Sequence, residues 1–197
     1  MDTIELKKIY CIDGLVSEQP ASLKGSLSKV KTTSGNVTLT KGELRKKQIE
    51  FYEFFINGKP LSQILTEFSK LKSPLLDDLV GVLGFFPNKQ LELNTIKKLL
   101  LKQVTEQDIR NVFPKNLYVE NEIESYKEEL AREDIIIYCC VLCGDPDCGG
   151  FRIKVHKEND QFVWTYNDEG NILQFHFDIY QYFNTFNMYR KTVEKLL

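Results

Sequence analysis

Histidine is scarce in this chain: two occur in 197 residues, beside one Trp and two Met. A Ser-His-Asp or Cys-His arrangement would therefore have to use His156 or His176. The phosphate-binding, nucleophile-elbow, zinc-protease and dinucleotide signatures G-x-x-x-x-G-K-[ST], G-x-S-x-G, H-E-x-x-H and G-x-G-x-x-G are all missing. So is any apolar run of about 18 residues, the length a membrane-spanning helix needs. Basic excess is lacking too. With 26 Lys and Arg against 28 Asp and Glu, a net charge of −2 and a pI near 5.8, the composition argues against a general nucleic-acid binder, which needs a concentrated basic face. The opening Met1-Asp2-Thr3-Ile4-Glu5 carries no basic and apolar leader, so the expected compartment is the cytoplasm.

What is present is folding material. Hydrophobic residues make up 42% and aromatics 12%, which is too rich for a disordered chain and enough for a sizeable core. The C-terminal third is the most legible. Phe151, Ile153 and Val155 alternate with Arg152, Lys154 and His156, as in a strand with one wet face. Phe162–Tyr166 and Ile172–Phe177 form two more strands around the turn Asn167–Asn171. Asp178 then caps a helix reaching about Lys195, with Ile179, Tyr182, Phe183, Phe186 and Val193 inward.

Upstream, the apolar run Ile135–Val141 suits a strand buried on both faces, and Val119–Ala131 reads as a helix. Leu79–Phe85 reads as a strand, and Asn88 as the cap of a helix bearing Leu91, Ile96, Leu99 and Leu100. Ile49–Ile56 fits a strand closed by Asn57-Gly58, with a helix continuing from Glu43 as the alternative. Pro60 opens a helix over about 60–70. The expected fold is α+β, a mostly antiparallel sheet with packed helices and a C-terminal β-β-β-α module. Residues 1–47 are read as an N-terminal extension or extra strands, with Val37–Thr40 one of them. Residues 48–197 are read as a single domain.

Three cysteines, Cys140, Cys143 and Cys148, flank a Gly/Asp/Pro turn within 140–150. C-x-x-C followed by Gly can point two thiolates at one zinc ion, and Cys148 can supply a third. The candidate structural site is Cys140, Cys143, Cys148 and His176, with His156, Cys139, Cys11 or water as other fourth ligands. Three further readings compete: a metal-free turn of buried thiols, a Cys143–Cys148 disulfide, which a reducing cytoplasm disfavours, and a redox thiol. Trp164 and the stripe Tyr180, Tyr182, Phe183, Phe186 and Tyr189 could stack bases, but the surrounding acidity favours a core role.

The stretch Cys140-x-x-Cys143-Gly144-Asp145-x-x-Cys148-Gly149 is followed by Val163-Trp164 and Phe175-x-Phe177-Asp178-x-x-Gln181-Tyr182. Together with Phe54–Ser62, Val82–Gly84 and Pro87–Lys89, it resembles a family of uncharacterised bacterial proteins. The resemblance spans about residues 48–185. The chain departs from it at Cys139 and at Pro146-Asp147 within the loop. The resemblance implies a coherent fold and a bacterial origin, and no particular chemistry.

Charge is distributed unevenly, with residues 1–75 carrying +4 and the remainder −6. The acidic excess gathers around Glu120, Glu122, Glu124, Glu128 and Glu129. A solvated helix face is the plainer explanation, and a patch that attracts a basic protein partner is the functional one. The expected role is a non-enzymatic interaction protein, most concretely an immunity protein that neutralises a toxin encoded nearby. Neither nucleic acid nor membrane is expected as a partner. The alternative is a zinc-stabilised binding module or a metal-dependent enzyme built on the cysteine turn.

Overall fold

The computed structural model describes residues 1–12, 15–17, 27–32, 35–40, 49–113, 120–142 and 150–197. In chain order the strands and helices are β1 (Ile4–Ile12), β2 (Leu15–Ser17), β3 (Leu27–Thr32), β4 (Gly35–Thr40), β5 (Ile49–Ile56), β6 (Lys59–Pro60), α1 (Leu61–Phe68), β7 (Leu79–Gly81), α2 (Lys89–Leu99), α3 (Glu106–Arg110), α4 (Glu120–Ala131), β8 (Asp134–Cys140), β9 (Phe151–Glu158), β10 (Gln161–Asp168), β11 (Asn171–Asp178) and α5 (Ile179–Glu194). The fold is α+β with antiparallel sheets, and β9, β10, β11 and α5 form the expected C-terminal module. No helix among the described residues is long and apolar enough to cross a membrane.

The residues gather into two compact units. The first comprises 1–4, 86–137 and 152–197. Here β11, β10, β9 and β8 lie side by side in that order. Alternation places Val155, Trp164 and Phe175 in one cross-strand row. That row faces α5, which buries Tyr182, Phe186, Tyr189 and Val193 at helical spacing. The Tyr182 ring stacks on Phe162 with centroids 4.2 Å apart. Trp164 Nε1–H donates to Tyr182 Oη at 2.8 Å, and that hydroxyl donates to the Leu99 carbonyl at 2.9 Å. The aromatic stripe is therefore core, as its acidic surroundings suggested; each such ring contributes about 1.5–3 kcal/mol by burial. Tyr180 alone of its members is exposed.

Two caps set the ends of this unit's helices. Asn88 accepts the Gln90 N–H at 3.0 Å to start α2, and Asp178 accepts the N–H groups of Tyr180 and Gln181 to start α5. Between α2 and α4, the short helix α3 opens with a capping box. Thr105 Oγ1 accepts the Asp108 N–H, and the Asp108 carboxylate accepts the Thr105 N–H. Asp2 lies beside β11: its N–H donates to the His176 carbonyl at 2.7 Å, and its carboxylate accepts the His176 N–H at 2.8 Å.

The second unit comprises 5–85 and 138–151. Its larger sheet has the order β2-β1-β5-β6, and β3 and β4 pair separately as a hairpin that includes Val37–Thr40. Ile49–Ile56 is a strand, not a helix continuing from Glu43. Asn57 and Gly58 have φ of 51° and 77°, the left-handed pair of a two-residue hairpin turn that joins β5 to β6. The strand expected over 79–85 stops at Gly81. A Cβ there would meet Phe51 Cδ2 and the Tyr52 carbonyl oxygen at 2.7 Å, so the backbone packs directly on β5. Beyond it Gly84 has φ of +83°, and the chain turns so that the Leu83 carbonyl accepts the Tyr52 N–H. The last three residues of β8 pair antiparallel with β7. Residues 1–47 thus supply strands to the second unit, and their first four residues belong to the first.

Candidate partner-binding face

Helix α4 carries all five acidic candidates. Its sequence Glu-Asn-Glu-Ile-Glu-Ser-Tyr-Lys-Glu-Glu-Leu-Ala has only Ile123, Tyr126 and Leu130 to offer a core, and no residue is fully buried. Tyr126 anchors the inner side. Its hydroxyl accepts from Asn94 Nδ2 at 3.1 Å, and its ring meets Phe113 edge-on at 5.9 Å. Burial pushes the Tyr126 phenol up to about 12, against the opposing bond from Asn94. Asn94 is itself fully buried and also donates to the Asp108 carbonyl, so one amide ties α2, α3 and α4 together.

The C-terminal end of α4 has no basic residue of its own. Lys98 of α2 fills that role, donating from Nζ to the carbonyls of Glu129, Arg132 and Asp134 at 3.4, 3.0 and 3.2 Å. Burial is the main reason its amine is held below the ordinary lysine range, with neighbouring Glu129 and Asp134 working the other way. Beside it runs a groove of about 470 Å³ lined by Lys98, Leu101, Val104, Leu130, Ile135 and Val155 among others. The cations along its wall have partners within the unit: Lys127 pairs with Glu124 at 2.8 Å and Arg132 with Asp134 at 2.8 Å.

The five carboxylates divide accordingly. Glu129 is ion-paired to Arg152 through two 2.8 Å bonds. Glu124 holds Lys127 while staying exposed. Glu120, Glu122 and Glu128 are exposed, and none has an ion pair with a described residue. At 100° per residue, Glu120, Glu124 and Glu128 form one outward row opposite Tyr126 and Leu130. Glu120 and Glu122 suit the helix N-terminus. Glu128 does not: it sits in the last turn, against the helix dipole and four residues from another carboxylate.

The metal candidates are placed less fully. Cys140 is buried at the end of β8, while Cys143 and Cys148 lie outside the described residues. His176 is half-buried on β11, in the same cross-strand row as Val163 and His156, and His156 is exposed on β9. Among the described residues, no group of three or more His, Cys, Asp or Glu side chains converges on a common point.

Five buried polar side chains among the described residues escaped the pattern reading, Glu53, Glu92 and Asn94 the deepest of them. Glu92 is 2% exposed and accepts from the Tyr189 hydroxyl and from Lys89 Nζ at 2.9 Å. Asn94 and Glu53 are 0% exposed. A carboxylate or amide within an apolar stretch was the only available sign, and the tyrosine hydroxyls that meet Glu92 and Glu53 lie 97 and 85 residues away. No family model, curated protein or solved structure matches the chain.

Proposed function

We propose that the chain is a protein-binding protein whose outward acidic row on α4 docks the basic surface of a partner. Its most concrete form is an immunity protein that caps a toxin encoded nearby. Glu128 carries the reading. Local folding physics disfavours an acid there, yet it stands exposed in line with Glu120 and Glu124. Such a row gives orientation and fast encounter with a cationic patch, and Lys98 holds the helix end in place without covering that row.

Gel filtration of the full chain with the product of the neighbouring gene tests this. The expected result is a complex that weakens with salt. The triple variant Glu120→Gln, Glu124→Gln, Glu128→Gln should lose the complex and keep the melting curve within a few degrees, because surface changes of this kind move stability by about 0.5 kcal/mol or less. The absence of a complex, or a complex indifferent to the triple variant, overturns the reading.

A further inference from the structure

We propose that Glu53 is a proton-operated latch in the second unit: protonated, it holds the start of α1 onto β5 and β8, and on ionisation it lets that helix end open to water. The device is independent of the acidic face on α4.

The cluster is built from three elements. Glu53 sits on β5 with Phe51 and Phe55 two residues to either side, and it is 0% exposed. Helix α1 begins at Pro60, which has no side-chain cap to offer. Glu53 supplies that cap from outside the helix, its Oε1 accepting the Ser62 N–H at 3.2 Å. The same oxygen accepts the hydroxyl of Tyr138, which is fully buried on β8. Oε2 is buried and has no hydrogen-bond partner among the described residues.

This arrangement satisfies one oxygen and strands the other, so a full negative charge in this position is costly. Burial is the dominant influence on Glu53 and raises its carboxyl to about 7, although the bonds from Tyr138, Ser62 and Leu61 all favour the charged form. No ion pair joins Glu53 to a described cation. Lys7 of β1 lies over the Phe55 ring, 4.2 Å from its centroid, with Glu5 4.0 Å from its amine. Lys59 of β6 is paired with Glu67 of α1 at 2.5 Å, with both side chains largely exposed. Strand β7 contributes Leu79, Val80 and Gly81, none ionisable. On β8, Tyr138 is followed by Cys139 and Cys140. Burial, followed by the charge of Glu53 itself, pushes the Tyr138 phenol well above its ordinary range, so it acts as a neutral donor.

The sign follows from linkage. The closed form binds the proton more tightly than the open form, in which Glu53 regains its ordinary value of 4.5. Closure is thus fully supported below about pH 4.5 and is progressively lost as pH rises towards 7. Above that both forms are ionised, and the opening equilibrium levels off.

Hydrogen exchange on the full chain, read by mass spectrometry on peptides covering 57–68 and corrected for intrinsic exchange, tests the latch. The opening equilibrium at α1 should rise about tenfold per pH unit between pH 5 and 7 and then plateau, a total of roughly 300-fold. Glu53→Gln should abolish this dependence. Tyr138→Phe, which keeps the carboxyl and removes a donor to its ionised form, should move the plateau to higher pH. At about pH 5.5 the native chain should show the infrared C=O stretch of a protonated carboxylic acid that Glu53→Gln lacks. Opening at α1 that ignores pH in the native chain, or that keeps its pH dependence in Glu53→Gln, overturns the proposal; so does Tyr138→Phe leaving the plateau in place.

Discussion

Arg152 of β9 and Glu129 of α4 meet end-on, Nη1 and Nη2 each donating to one carboxylate oxygen at 2.8 Å, and Nη1 also reaches Asp134 of β8 at 3.2 Å. The Arg152 side chain is only 13% exposed, so this fork is shielded far more than an ordinary surface pair. It fastens the acidic helix to the sheet through one of that helix's own carboxylates.

Replacing Arg152 by Met should therefore cost about 1.5–3 kcal/mol in urea denaturation, the range for hydrogen bonds to charged groups. Asp134 adds a pH signature. Its bonds to Arg132 and then the charge of Arg152 hold its carboxyl below the ordinary 3.8, against the upward push of burial. Its contribution is present above that value and lost as pH falls below it. Between pH 5 and 2.5 the native chain should lose more stability than Asp134→Asn, a difference visible in the urea midpoints.

Tyr182→Phe should destabilise the first unit by about 1–3 kcal/mol, because it leaves the Trp164 indole N–H and the Leu99 carbonyl without their shared hydroxyl. Trp164 is the chain's one tryptophan and is 0% exposed. Its emission reports this unit alone: blue-shifted when native and red-shifted on unfolding, with an earlier midpoint in the variant.

Two glycines separate crowding from conformation. Gly81→Ala places a methyl 2.7 Å from both the Phe51 ring and the Tyr52 carbonyl oxygen, and should cost about 1–3 kcal/mol. Gly58→Ala meets nothing within 4 Å and is burdened only by its φ of +77°, at about 1–2 kcal/mol. Gly58→Asn, which suits the left-handed region, should recover part of the Gly58 loss in thermal melts. Gly81→Asn should recover nothing.

Most of the fold was legible because its signals are local. Alternation in Ile153/Val155, the Asn57-Gly58 pair, and Asn88 and Asp178 ahead of apolar helices each act within a few residues. Leu79–Phe85 misled because a glycine in an apolar run looks the same whether the strand continues or the backbone is pressed against a neighbour. Glu53, Glu92 and Glu129 mark the deeper limit. Whether a glutamate faces water or a partner is decided by Tyr138, Tyr189 and Arg152, which lie 85, 97 and 23 residues away. The acidic helix was visible as composition, while the division of its carboxylates between internal pairing and open display was not.

The pairing of Asp2 with His176 joins positions 174 residues apart. During synthesis the beginning of this chain emerges long before the segment it must sit beside has been translated. Completion of the first unit consequently waits on the synthesis of β11, the strand beside which Asp2 is held.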